Sequence, residues 1–377
     1  MRRLQMKKTV DNMDNNDRPH GAPDHGGVPD GRKKLLWTAL FIVIAAATIW
    51  VVVSHSKEFS LGLFVSYISG ASKPWLCAAV LCAFGFVFFE GEAIAAICRA
   101  LGCDTNHRQG FEYSAADIYF SGITPSATGG QPMCAYFMIK DGIPAGITTA
   151  ALLINLTLYT MSILVISLLV AVAYPGVLMS FGVLSKVLII AGYFIQCLLA
   201  AFFIMLLMKR SLLHGICRGS IHFLCKIKLL RHEEEKQRKL DRFIDEYAMC
   251  SQLMKSRKKA IATAFVFNIL QRLSVILVPL CVFMAQGGAV SDATRLWAVQ
   301  SYVVIGSNSI PIPGAMGVSD YIMLDGYGKM MDYQNAINFE LLSRSISFYI
   351  CIVLCGVVVL AKKLIQKKTG SKNDRIL

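Results

Sequence analysis

The stretch Ile123-Thr124-Pro125-Ser126-Ala127-Thr128-Gly129-Gly130-Gln131-Pro132 decides how this chain is read. It sits at the centre of an otherwise apolar segment, Phe111–Ile139. Proline removes a helix donor and clashes with the preceding turn, and glycine readily takes positive φ. The segment therefore reads as two half-helices joined at a break, the pattern of a re-entrant hairpin. A second segment, Thr294–Gly328, repeats it around Ser307-Asn308-Ser309-Ile310-Pro311-Ile312-Pro313-Gly314-Ala315-Met316-Gly317. The breaks share a Pro-x-x-x-Gly core, Pro125 to Gly129 and Pro313 to Gly317.

Uninterrupted apolar runs surround these segments. A spanning helix needs roughly 20 mostly apolar residues. Six runs qualify: Leu35–Val53, Trp75–Cys98, Thr148–Ala173, Val187–Met208, Ile261–Ala285 and Leu341–Ala361. Runs this long without alternation are helices, because hydrocarbon tolerates only helices and closed barrels. The first is read as a retained anchor, since 34 residues precede it and Ser54-His55-Ser56-Lys57 is a poor cleavage site. The expected fold is an all-α integral membrane protein with about six full spans and two Pro/Gly-broken re-entrant hairpins. Composition agrees. The 377 residues are 55% hydrophobic and 16% charged, against about 25% charged in soluble chains. A soluble enzyme core, a disulfide scaffold and a wholly disordered chain are excluded.

The net charge of +14 would suggest nucleic acid in a soluble protein. Here its distribution sets orientation. With both termini cytoplasmic, 31 of the 38 Lys and Arg fall inside, five outside (Lys57, Lys73, Lys186, Arg295, Lys329), and Arg272 and Arg344 within apolar runs. This makes the two broken segments an inverted pair, opening on opposite faces. Paired interrupted segments are a pointer to a transporter site near the midplane.

The expected organisation is a disordered basic N-terminus (1–34), a membrane domain (35–365) and a basic tail (366–377). Within the domain, residues 209–259 form a cytoplasmic insertion with 14 basic and six acidic side chains. Its section Arg231–Met254 reads as an amphipathic helix, with Leu240, Phe243, Ile244 and Tyr247 on one face. That helix serves either as a solvated connector or as an interfacial element against anionic lipid. The twelve cysteines lie mostly in apolar runs without a C-x-x-C pair, so they read as small packing residues. No metal site or cofactor is expected, and no Walker phosphate loop occurs.

Ionisable residues inside membrane segments are costly and point to function. Arg272 sits mid-helix with Asn268 one turn away, and Glu340 and Arg344 are spaced as an intrahelical pair. Glu90 and Glu92 interrupt the second run, while Asp117 and Asp320 flank the breaks. These residues either pair with one another or leave an arginine facing a phosphate. Guanidinium suits bidentate phosphate contact and is not neutralised by burial. Half-helix N-termini would add N–H donors for an anion. The expected lipid contacts are Arg272, Arg344, Thr124, Pro125, Ser126, Thr128, Gly129, Gly130, Gln131, Pro313, Gly314, Gly317 and Asp320. Glu90, Glu92, Asp117 and Glu340 are the expected charge partners. Glu90, Glu92 and Asp117 also suit a proton relay, which spacing does not separate from structural pairing.

The first break and Lys140-Asp141-Gly142-Ile143 resemble the flippase-like transmembrane region of lysylphosphatidylglycerol synthase, the multiple peptide resistance factor, and its stand-alone relatives. Ile310–Asp320 is similar to that family's Pro-Gly-Gly-x-Gly-x-x-Glu segment, departing at Ala315, where a second glycine is usual, and at Asp320, where glutamate is usual. Glu340-Leu341-Leu342-Ser343-Arg344 resembles the start of its last helix. The resemblance covers roughly residues 35–365. It implies a multi-pass bacterial inner-membrane protein that moves an anionic or aminoacylated phospholipid and contributes to cationic peptide resistance. The lysine-transferring domain of full-length relatives has no counterpart in these residues. Two alternatives stand beside translocation: lysyl transfer to phosphatidylglycerol, or an accessory role beside a separate synthase. Phospholipid is the expected partner and nucleic acid is not; homo-oligomerisation is left open.

Overall fold

The computed structural model describes residues 61–373, apart from 125–126, 210, 212–213, 216–217, 220–239, 241–242, 246, 251–252, 255, 311–314 and 316. Every regular element among them is helical. In chain order these are α1 (Leu61–Ser69), α2 (Lys73–Ala100), α3 (His107–Ile123), α4 (Gly130–Lys140), α5 (Ala145–Ala173), α6 (Pro175–Ser180) and α7 (Val183–Met208). After the insertion come α8 (Lys258–Ala285), α9 (Val290–Ser307), α10 (Val318–Tyr327) and α11 (Tyr333–Arg344). A π-helical turn, Ser345–Ile350, joins α11 to α12 (Cys351–Asn373).

Five helical stretches among the described residues are long and apolar enough to cross a membrane: α2, α5, α7, α8 and the continuous Tyr333–Lys362. They coincide with five of the six expected runs. The sixth, Leu35–Val53, and the N-terminus 1–34 lie outside the described residues. Of the tail, the backbone to Asn373 continues α12.

Each interrupted segment is a helix, a break and a second helix. The first comprises α3 and α4, the second α9 and α10. Both breaks hold an alanine in the left-handed region, Ala127 at φ 52° and Ala315 at φ 49°. Each alanine stands two residues after a proline and two before a glycine. That shared backbone shape is a stronger internal correspondence than the matching Pro and Gly alone. It also explains the glycine expected at Ala315, because an L-residue there costs about 1–2 kcal/mol.

The core is organised by α2 and α8, which run antiparallel. Ser72 N donates to Ala285 O at 2.7 Å at one end of the pair. Phe89 stacks on Phe267 at 6.3 Å further along. α3 packs on α2, α4 and α12; α9 packs on α5, α7, α8 and α10. Association in lipid lacks a hydrophobic drive and relies on close backbone approach. Gly91 of α2 meets Gly110 of α3 in this way: a Cβ on Gly91 would lie 2.7 Å from the Gly110 carbonyl.

Among the described residues of 209–259, Leu240, Ile244 and Tyr247 are buried and Phe243 is half-buried. Tyr247 Oη donates to Leu206 O at the end of α7 at 3.1 Å. Leu240, Ile244 and Tyr247 are thus covered by protein.

Candidate functional site

The first break presents polar groups to the bundle interior. Thr124 Oγ1 donates to Phe120 O at 2.6 Å and accepts from Gly129 N at 3.0 Å, so it closes α3. Gln131, in the first turn of α4, donates from Nε2 to Asp117 Oδ2 at 2.6 Å. Ser121 Oγ reaches Asp117 Oδ1 at 3.4 Å. Gly130 makes this approach fit, because a Cβ there would collide with Asp117 Oδ1 and Ser121 Oγ. Asp117 lies within electrostatic reach of Glu90 on α2. Ser114 Oγ donates to Glu90 Oε2 at 3.2 Å. Both carboxyls are 7% exposed.

Arg272 on α8 lies in the field of Glu90. Its guanidinium carbon stands 4.2 Å from the Tyr159 ring centroid and 5.3 Å from that of Phe86. The side chain is 7% exposed, and Nε finds no hydrogen-bond partner among the described residues. One turn away, Asn268 Nδ2 donates to Asn155 Oδ1 at 3.1 Å. Tyr159 carries the polar track onward, donating from Oη to Asn308 Oδ1 at 2.7 Å. Gln196 of α7 accepts from Ser309 Oγ at 2.8 Å and from Asn308 Nδ2 at 3.5 Å. Asn308 and Ser309 belong to the second break. Buried polar side chains therefore lie between the two breaks: Asp117 with Gln131, Glu90 with Ser114, and Arg272 against Tyr159, which reaches Asn308.

The second break has an ion cluster of its own. Asp320 Oδ2 accepts from Gly317 N at 2.8 Å and so caps α10. Gly317 takes φ 85°, which its lack of a Cβ permits. Arg344 pairs with Asp320, contacts Ser319 Oγ, and donates from Nε to Glu340 Oε1 at 3.1 Å. Arg344 immediately precedes the π-helical turn, a distortion that recurs at functional sites.

Of the residues expected to meet lipid, the fold brings Gly130 and Gln131 beside Asp117 and Glu90, with Arg272 adjacent. Arg344, Asp320 and Glu340 form the second cluster with Gly317. Thr124 and Gly129 stabilise the first break, and Thr128 lies in its turn. Pro125, Ser126, Pro313 and Gly314 lie outside the described residues. Glu92 sits apart from the track, paired with Arg99 at 3.5 Å and with His107 at 2.5 Å.

Several participants escaped the sequence reading. Tyr159 and Gln196 are polar interruptions of apolar helices, a signal that was present and unused. Lys362 looked like one orienting charge among many. It is 6% exposed, bridging Glu112 Oε2 at 2.9 Å and Asp141 Oδ2 at 2.7 Å. Tyr113 Oη also donates to Asp141, at 2.9 Å. Lys362 thus ties α12 to the outer ends of α3 and α4. Among the described residues no cluster of His, Cys, Asp and Glu is arranged to hold a metal ion.

Helices of spanning length around a buried polar track define a polytopic membrane protein with an internal ionic centre. The family described as the lysylphosphatidylglycerol synthase TM region matches residues 36–355, and the chain belongs to that family. No curated protein and no solved structure matches it.

Proposed function

We propose that this protein is a lipid translocase whose central arginine, Arg272, receives the phosphate of a phospholipid head group while the acyl chains stay in the bilayer. The observation that carries the reading is the state of Arg272. A guanidinium stays charged on burial, and a buried charge is costly unless it is paired and hydrogen-bonded. Arg272 rests on two aromatic rings, with Glu90 near but not hydrogen-bonded to it, and its Nε is unused. A phosphodiester offers the bidentate acceptor it lacks.

On this reading, α3–α4 and α9–α10 are re-entrant hairpins opening on opposite faces, and the track between their breaks is the head-group route. The substrate class is phosphatidylglycerol or its aminoacylated form, supplied by a separate synthase. Exposure of a cationic lipid on the outer leaflet lowers binding of cationic peptides. The protein lies in a bacterial inner membrane with both termini cytoplasmic. Family membership and the charge distribution support this assignment.

The test is reconstitution with head-group-labelled phosphatidylglycerol in one leaflet and a membrane-impermeant quencher outside. Arg272→Ala is expected to slow transfer at least about tenfold, the effect of losing roughly 1.4 kcal/mol from one charged hydrogen bond. Transfer at the parent rate by Arg272→Ala removes the proposal.

A further inference from the structure

At the far end of the α2–α8 pair from Ser72 and Ala285, α2 finishes beside the start of α8. Between them lies a cavity of about 660 Å³. Arg99 lines it from α2, and Arg257, Lys258 and Lys259 line it from the start of α8, with Ala96 and Ala260 on its apolar wall. The apolar run of α2 ends at Cys98 and that of α8 opens at Ile261. The cavity therefore stands at the level where hydrocarbon gives way to head groups.

Its four cations are poorly compensated. Arg99 is held in place: Nη1 donates to Thr105 O at 3.1 Å, and Nη2 stands 3.5 Å from Glu92 Oε2. Its side chain keeps 39% exposure, so the guanidinium is not used up by these contacts. Glu92 is itself shared with His107. Arg257, Lys258 and Lys259 are exposed, and among the described residues none of them forms an ion pair. The positive-inside rule asks only that such cations lie on the cytoplasmic side. It does not ask that two separate helices turn them onto one cavity.

We propose that this cavity binds the head group of a phospholipid that carries two phosphodiesters, and that the bound lipid bridges α2 and α8. With Arg99 partly answered by Glu92, three cations remain. One phosphodiester leaves two of them uncompensated, and two phosphodiesters leave one. A soluble anion would match the charge but not the depth, since the apolar wall suits the glycerol of a lipid. Basic pockets between membrane helices on the cytoplasmic side hold such head groups. The site is separate from Arg272, which lies 13 residues beyond Lys259 on α8, about 20 Å at a rise of about 1.5 Å per residue. One phosphate does not reach both, so the proposal stands whether or not Arg272 contacts lipid.

The experiment titrates the full chain, purified in neutral detergent and stripped of lipid, by native mass spectrometry. The probes are tetraoleoyl cardiolipin, which has two phosphodiesters, and dioleoyl phosphatidylcholine. One cardiolipin is expected to bind at least about tenfold more tightly than phosphatidylcholine. The variant Arg257→Gln/Lys258→Gln/Lys259→Gln changes only exposed side chains. It is expected to lose at least about tenfold in cardiolipin affinity. Lys186→Gln/Arg295→Gln/Lys329→Gln, with the same change in net charge elsewhere, is expected to keep it. Equal affinity for the two lipids, parental affinity in the first variant, or an equal loss in the second overturns the proposal. Release of cardiolipin by excess inorganic phosphate shows a site for free anions and overturns it too. A further measurement needs no variant: salt at about 1 M, where charges are screened within about 3 Å, must weaken cardiolipin binding by the parent. Binding that ignores salt overturns the proposal.

Discussion

Replacing Lys362 with methionine tests how the first helix pair is held. The ammonium lies 2.9 Å from Glu112 and 2.7 Å from Asp141, and the three side chains are 6%, 11% and 14% exposed. Methionine keeps most of the volume but leaves two carboxylates facing a largely dry site. Removing one partner from a buried pair costs about 3–5 kcal/mol. Arg108 retains its contact to Glu112 at 2.9 Å, but that arginine is mostly exposed and offsets little. Tyr113 still donates to Asp141. The lower end of the range is therefore appropriate, about 3 kcal/mol, which is roughly a hundredfold in an opening equilibrium at about 1.4 kcal/mol per decade. Amide hydrogen exchange in nanodiscs reads that opening directly. Peptides covering His107–Ile123 and Gly130–Lys140 are expected to exchange roughly a hundredfold faster, while those of Val183–Met208 stay unchanged. Adding Glu112→Gln and Asp141→Asn to Lys362→Met should recover most of the loss, because no charge then remains unpaired. Acceleration below about tenfold, or a triple variant as labile as the single, would refute the clamp.

Gly130→Ala drives a methyl into Asp117 and Ser121, and should lower stability by about 1–3 kcal/mol in a thermal melt. Ala315→Gly removes left-handed strain of about 1–2 kcal/mol, partly offset by glycine's chain entropy of about 0.5–1 kcal/mol. It should raise stability by the difference in the same assay. Tyr159→Phe keeps the ring over Arg272 but deletes the hydrogen bond to Asn308. It should cost about 1 kcal/mol, while Tyr159→Leu, which also removes the aromatic face, should cost more.

The helical layout was legible because membrane spans are coded by long apolar runs, and five such runs reappear as α2, α5, α7, α8 and the α11–α12 stretch. The breaks were legible because Pro125, Gly129, Pro313 and Gly317 interrupt them. Pairing was not, since it depends on which helix faces lie together. Glu90 and Glu92 are two residues apart and point to different partners, one to Ser114 and the other to Arg99 and His107. The Glu340–Arg344 pair could be read from its i, i+4 spacing; its links to Asp320 and Ser319 needed the tertiary fold. Lys362 misled for a physical reason: a lysine at the end of an apolar run obeys the positive-inside rule whether it faces water or a carboxylate. The insertion helix shows the same ambiguity, as amphipathicity names the apolar face without saying whether lipid or α7 covers it.

The α2–α8 seam also constrains the machinery mechanically. It is closed at Ser72 and Ala285, stacked at Phe89 and Phe267, and tight where a Cβ on Gly85 would lie 3.1 Å from Ser274 Oγ. Shear along such a seam is expensive, because close-packed interfaces shift between discrete arrangements rather than deforming continuously. The two helices that carry Glu90 and Arg272 therefore act as a fixed anvil. On the translocase reading, the hinges belong at the two breaks, where Ala127 and Ala315 share a left-handed backbone.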